Sequence, residues 1–431
     1  MSMFELYLLT FNCGRTLVDP RSLSHSFFDA LPPGAPVPDL VAVSLQEMSP
    51  IAHAFLGGRY LKPYVDRIAT TVQLAADLHS HGSEQLEHVA TRSLGMTGLM
   101  MFATPRFAQR IQWIQAAGAG VGFANMGNKG AVAMRVGIST PGTTSTLNLT
   151  FAAAHLAPME SNVSARNKDW ENLVRNLVFV NGDDSPYSCS EETRLLASAS
   201  APPPNDHNGI FADGDYLFFF GDLNYRTHDA PPGPEDHQTY PQPTASETSS
   251  QHYSQLLKKD QLTREKQANR TLHGLQELPI HFPPTYKYTT TPKQGRASRD
   301  THQEWNWSKH RYPSWCDRIL FSSLGPDPAL RPHHYTALPV QATSDHRPVA
   351  LSLSVGDEVR SRRDRSDENA TEAPFPINAQ WRSRRDAARR CEVIVGVLSY
   401  LALTSKGQAV LVALVGAVLG GLWLASHMRR T

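Results

Sequence analysis

Along the first 355 residues the apolar positions fall into short runs separated by turn-forming residues. Nine of these runs have the length and composition of strands: 4–11, 40–45, 99–104, 130–138, 146–154, 216–220, 318–322, 335–339 and 349–355. Longer patterned segments predict helices in part of 52–78, over 161–180 and over 253–269. So many strands with so few helices between them do not suit a single parallel sheet, which needs a crossover at each step. The expected class is α/β in the α+β sense, with two packed, mostly antiparallel sheets flanked by helices. No internal repeat is visible. Residues 181–209, with a Pro-Pro-Pro run, and 228–251, rich in Pro, Ser, Thr and His, are expected to be loops within this domain.

Past residue 355 the pattern changes twice. Residues 356–390 hold nine arginines and seven acidic residues with few large apolar groups, so they are expected to form a charged, flexible linker. Residues 391–431 are a hydrophobic tail, and 407–427 contain no Asp, Glu, Lys or Arg. A helix of that length spans roughly 31 Å, close to the hydrocarbon thickness of a bilayer. The expectation is a transmembrane helix serving as a tail anchor. Five arginines between Trp381 and Arg390 favour a cytosolic upstream side, against which Arg429 and Arg430 argue more weakly. The shorter apolar run 393–403 is expected to be interfacial or an extension of the anchor. Gly416 and Gly420 form a GxxxG pair that offers a face for weak self-association.

Composition narrows the partners. The chain has 431 residues and a formal net charge of +1, so no global field points to a nucleic-acid partner. An anionic substrate must then be met by a local cluster. The four cysteines, Cys13, Cys189, Cys316 and Cys391, have no close spacing, which suits reduced thiols in a cytosolic compartment. The N-terminal run lacks a basic lead and reads as a first strand rather than a signal peptide.

Chemistry-bearing residues collect where strands end. The run FFFGDLNYR, residues 218–226, turns from a buried strand to Asp222 and Asn224, which alternation places on one side. Asn12 follows the first strand, Glu47 the second, and His155 ends another. Asp317 opens a strand in PSWCDRIL, and Asp345 and His346 lie in SDHRPV just before the last strand. Each residue alone has a structural explanation, but their conjunction at strand–loop junctions is where sites are built.

GDLNYR, PSWCDRIL and SDHRPV resemble the signature motifs of the inositol polyphosphate 5-phosphatase family. TFN, LQE, NMGNKGAV (125–132), AAHLAP (153–158) and FPPTYKY (282–288) resemble its supporting motifs, and LGMTGLMMF (94–102) its apolar segment near the membrane. The resemblance implies the exonuclease–endonuclease–phosphatase fold, a four-layer sandwich of two sheets with helices outside. It also implies magnesium-dependent removal of the 5-phosphate from inositol lipids or soluble inositol phosphates.

By motif position, Glu47 would hold Mg²⁺ with Asn12 beside it. Asp222 would orient or deprotonate the attacking water, and Asn224 would donate to a phosphoryl oxygen. His346 would contact the scissile phosphate with Asp317 fixing its tautomer, His155 would donate from the other side, and Asp345 would support metal or water. Lys129, Tyr286, Lys287, Lys309 and Arg311 would meet the ring phosphates, with Arg226 serving substrate or structure. Lys287 and Lys309 would suit a 4-phosphate, favouring phosphatidylinositol 4,5-bisphosphate.

The chain departs from the family pattern at Phe219 and Phe220, at Thr227, in NKGAV and in TFNCG, without losing a proposed catalytic group. A 5-phosphatase acting on soluble inositol polyphosphates, a same-fold nuclease or sphingomyelinase, and a catalytically dead phosphoinositide-binding scaffold are the alternatives. A lipid substrate suits a membrane-tethered enzyme, and the short glycine-bearing span suits the cytosolic face of the endoplasmic reticulum.

Overall fold

The computed structural model describes residues 2–142, 145–181, 208–211, 216–289, 305–322, 329–357 and 373–428. Most of the expected loop 181–209, Cys189, residues 358–372 of the expected linker, and Arg429 and Arg430 lie outside the described residues.

Two sheets form the body. The first has six strands in the order β12 (Leu330–Ala337), β13 (Val349–Gly356), β1 (Met3–Asn12), β2 (Leu40–Gln46), β4 (Thr97–Ala103) and β3 (Glu87–Leu94). The second has seven: β10 (Leu275–Gln276), β11 (Asp317–Ser322), β9 (Tyr216–Asp222), β7 (Thr146–His155), β6 (Gly130–Ser139), β5 (Ile111–Gly120) and β8 (Val180–Asn181). All pairings are antiparallel except β1 with β2 and β7 with β9. The helices are α1 (Pro20–Ser24), α2 (Ile51–Leu56), α3 (Lys62–Ser80), α4 (Pro105–Ala108), α5 (Val163–Asn176), α6 (Tyr253–Leu257), α7 (Gln261–Gln267), α8 (Trp381–Leu403) and α9 (Ser405–Met428).

Alternation along the strands builds the layers. Phe4, Leu6 and Leu8 of β1 face the second sheet, where they meet a core that includes Phe151, Phe218 and Phe220. Tyr7, Leu9 and Phe11 face outward onto Ile68, Val72 and Ala75 of α3. Phe219 faces outward from β9 onto Trp170 of α5, edge-on with ring centroids 5.2 Å apart. Helix, sheet, sheet and helix thus stack in four layers, as expected.

The pattern hid two long strands, β3 and β5, beside the two-residue β8 and β10. β3 opens on exposed Glu87 and His88, and β5 ends in a run of alanines and glycines with weak strand preference, held by its long pairing with β6. The segment expected as a helix over 253–269 breaks into α6 and α7, because the Asp260 side chain caps α7 by accepting from Thr263 N–H.

The largest difference lies upstream of the tail. The end of the expected linker and the apolar run after it form one 23-residue helix, α8. Ala388, Glu392 and Gly396 recur four residues apart and are buried against the body, a one-sided signal that averaged composition conceals. After it, α9 is a 24-residue helix long and apolar enough to cross a membrane, with its apolar side chains exposed.

Candidate active site

The two parallel pairs decide where polar groups gather. Parallel strands bring their C-terminal ends to one edge, so Asn12 lies level with Gln46, and His155 with Asp222. Antiparallel neighbours start at the same edge, placing Gly130 opposite His155 and Asp317 opposite Asp222. On the inward face, Asn12 continues the series of Phe4, Leu6 and Leu8, and Asp222 that of Phe218 and Phe220. The two sheets therefore meet at this edge through polar side chains: Asn12 Nδ2 donates to Asp222 Oδ2 at 2.8 Å, across 210 residues of chain.

Asp222 is buried among donors. Its Oδ1 accepts the Asn224 backbone N–H at 3.1 Å, and its Oδ2 lies 3.2 Å from His155 Nε2 and 3.9 Å from His346 Nε2. Burial alone would raise its pKa, but His155 and His346 outweigh burial and hold the carboxylate well below its ordinary range. His346 Nδ1 lies 2.8 Å from Asp317 Oδ2, which also accepts from the Thr285 hydroxyl at 2.7 Å. Burial lowers the His346 pKa, yet Asp317 and Asp222 overcome it and push the imidazole up to about 9. Burial raises the Asp317 pKa against the pull of His346. Asp222, Asp317 and His346 bring ligand atoms within 4.8 Å of one another. The His346–Asp317 hydrogen bond, with Asp222 3.9 Å beyond His346 Nε2, makes this trio an aligned carboxylate–imidazole–carboxylate relay rather than an open cage for a cation.

On the other side, Lys129 Nζ contacts His155 Nε2, the same nitrogen that faces Asp222. Burial lowers both the Lys129 and the His155 pKa, and for His155 the lysine adds to the fall. Lys129 lies 3.9 Å from Glu47 Oε1, while Arg15 Nε pairs with Glu47 Oε2 at 2.9 Å. Glu47 follows β2 with φ 44°, a left-handed conformation that turns the chain at the cleft. Its carboxylate is partly open, and with Asn12 Oδ1 and Asp222 it offers an all-oxygen donor set suited to a hard divalent cation.

These groups line a cleft of about 550 Å³. Asn12, Glu47, Lys129, His155, Asp222, Asn224, Arg226, Tyr286, Lys287, Asp345 and His346 all face it, while Asp317 stands behind His346. Lys309 and Arg311 do not line it: Lys309 is exposed beside the lining residue Ser308, and Arg311 Nε lies 3.6 Å from Glu160. Asn224 does not continue the alternation, because β9 ends at Asp222 and Asn224 turns with φ 58°. Its Nδ2 donates to Leu156 O at 3.1 Å and its Oδ1 accepts from Arg226 at 2.5 Å. Arg226 is buried, with its guanidinium 4.3 Å from the Tyr286 ring centre. Asp345 pairs with Lys287 at 2.5 Å, and its other oxygen lies 4.0 Å from His346 Nε2.

The profile of the endonuclease/exonuclease/phosphatase family 2 matches residues 9–352. The chain belongs to this family. Among relatives, the type II inositol polyphosphate 5-phosphatase 14 of Arabidopsis thaliana is 27% identical over 284 residues, 62% of this chain and 23% of that protein. The human phosphatidylinositol 3,4,5-trisphosphate 5-phosphatase 1 is 29% identical over 270 residues, 62% of this chain and 20% of that protein. This chain thus spans a quarter or less of the length of these relatives. The inositol polyphosphate 5-phosphatase domain of SpSynaptojanin, in complex with inositol (1,4)-bisphosphate and calcium ion, shares the fold. It aligns over 90% of this chain and 93% of its own at 21% identity, with a TM-score of 0.58.

Three residues of the site were not singled out in the sequence, although Thr285 and Ser344 lie within FPPTYKY and SDHRPV. Arg15 is one loop arginine among many until the fold sets it against Glu47. Thr285 reveals its place only through Asp317. Ser344 fixes the His346 loop by donating to Asn12 O at 2.6 Å and accepting from His346 N–H at 3.0 Å.

Proposed function

We propose that this chain is a magnesium-dependent phosphomonoesterase that removes the 5-phosphate of phosphatidylinositol 4,5-bisphosphate at a membrane, leaving phosphatidylinositol 4-phosphate. The observation that carries the proposal is the buried Asp317–His346–Asp222 relay at the floor of a cation-rimmed cleft. It is supported by relatives named as inositol phosphate and phosphoinositide 5-phosphatases.

Glu47, with Asn12 and Asp222 beside it, would hold the divalent ion; when bound, Mg²⁺ neutralises phosphoryl oxygens and polarises the reacting groups. Asp222, kept ionised by its histidine neighbours, orients the attacking water and accepts its proton. His346, kept protonated by Asp317 and Asp222, presents Nε2–H to a phosphoryl oxygen. Asn224 retains a second amide hydrogen beyond the one given to Leu156, available to the phosphoryl group. His155 and Lys129 add donors from the opposite wall. Lys287 is held charged near the mouth by Asp345, despite burial, and meets the 4-phosphate with Tyr286 beside it. Arg226 buttresses Asn224 and Tyr286. Lys309 and Arg311 steer the head group from outside the cleft.

Helix α9 supports a membrane-spanning role, and tethering raises the effective concentration of a lipid substrate. The cytosolic face of the endoplasmic reticulum is the proposed location. Fluorescent fusions of the full chain and of a chain truncated after Thr404 test it. A shift from reticular membrane to soluble distribution on truncation is expected; an unchanged distribution would refute the anchor.

A further inference from the structure

The helix that precedes the membrane span is bolted to the loops of the cleft. Glu392, at the middle of α8, is buried with 3% exposure. Its Oε1 accepts the Gly127 backbone N–H at 2.8 Å, and its Oε2 accepts from Arg389 at 3.1 Å. Gly127 belongs to the NMGNKGAV segment, two residues before Lys129. Its carbonyl accepts Met96 N–H at 3.2 Å, and the Met96 carbonyl accepts Met48 N–H at 3.1 Å. One line of three hydrogen bonds thus runs from the α8 carboxylate through Gly127, two residues from Lys129, and Met96 to Met48, the neighbour of Glu47.

The contact has room for little else. A Cβ on Gly127 would lie 3.1 Å from Glu392 Oε1 and 2.8 Å from Leu94, and one on Gly95 would lie 2.2 Å from the Gly127 carbonyl. Two further contacts seat the same helix. Arg384 donates to Asn125 Oδ1 at 2.8 Å, and Arg389 donates to the Phe55 carbonyl at the end of α2 at 2.8 Å. Gly396 allows α8 to approach Phe55 so closely that a Cβ there would lie 3.0 Å from it.

We infer that α8 is a positioning element of the active site, with Glu392 fixing the Gly127 turn and through it Lys129 and Glu47. The inference rests on the phosphatase activity proposed above. A segment that was only a tether would need no buried carboxylate aimed at a catalytic loop, since a buried carboxylate is retained only where it is well paired. Coupling through such a packed, hydrogen-bonded line changes a site's energetics without touching substrate.

The test uses the full chain and two substrates: a soluble short-chain phosphatidylinositol 4,5-bisphosphate, on which tethering confers nothing, and vesicles containing the long-chain lipid. Glu392→Ala is expected to lower kcat about tenfold on both substrates. It should also speed amide exchange across residues 125–132. Glu392→Gln, which keeps an acceptor oxygen for Gly127 N–H, is expected to restore most of both. Wild-type kcat on the soluble lipid together with wild-type exchange in Glu392→Ala would overturn the inference, as would loss confined to vesicles. Should Glu392→Ala not fold, Arg384→Ala takes its place. It is expected to shift exchange and kcat in the same direction to a lesser degree, and no shift would again overturn the inference. An inactive wild-type chain would sink the proposed activity, while the exchange measurement would still decide the coupling.

Discussion

On the floor of the cleft, Asp222, Asp317, His155 and His346 are buried, and hydrogen bonds or close polar contacts from other strands and loops hold each one. On the rim, Arg15 and Lys309 are exposed and Lys287 is about one-third exposed, all on loops. The floor is ordered before substrate arrives, so its groups lower the barrier without reorganising. The rim is solvated charge, which contributes affinity and steering more than rate. Changes at the floor should therefore appear in kcat, and changes at the rim in KM.

The largest break is expected from His346→Ala, which should lower kcat about 10³-fold while KM stays within about threefold. Steady-state phosphate release measures both, and an effect on KM alone would put His346 on the rim. Asp317→Asn should cost about 10²-fold and also move the pH profile. With its pKa raised to about 9, His346 carries its proton below that pH and loses it above, so wild-type activity should fall on the alkaline side near 9. Without the Asp317 carboxylate the fall should move down toward the ordinary histidine value of 6.5. An alkaline limb that does not move would separate His346 from proton donation.

At the rim, Lys287→Ala should raise KM about tenfold with kcat within about twofold, the loss of one charged hydrogen bond to phosphate. Lys309→Ala, outside the cleft lining, should change KM by less than about threefold. A drop in kcat for Lys287→Ala would blur the boundary between floor and rim.

The same contrast explains what could be seen in the sequence. Floor residues sit at the ends of strongly patterned strands, so Asn12, His155, Asp222 and Asp317 were marked by apolar runs that stop at a polar group. The layers followed from the same runs. Where strand character comes from pairing rather than composition, as in the alanine–glycine end of β5, the pattern was silent. Arg15 is defined by a partner 32 positions away, and no local spacing encodes that pairing. Lys309 and Arg311 were placed by motif, but the fold turns them away from the lining. In PSWCDRIL three of four consecutive residues do three different things. Trp315 is buried and donates to Phe282 O, Asp317 orders His346, and Arg318 forms buried pairs with Asp260 and Glu277. Helix α8 escaped because charge and apolarity occupy successive halves of it, and only its buried 388–392–396 stripe reveals one helix.

The central claim is best tested by measuring phosphate release from the full chain. The panel should cover inositol lipids and soluble inositol phosphates, with and without Mg²⁺, beside a His346→Ala control. The account predicts Mg²⁺-dependent release from phosphatidylinositol 4,5-bisphosphate at the 5-position, leaving phosphatidylinositol 4-phosphate and abolished by chelation. No release above the His346→Ala control from any inositol substrate would contradict it.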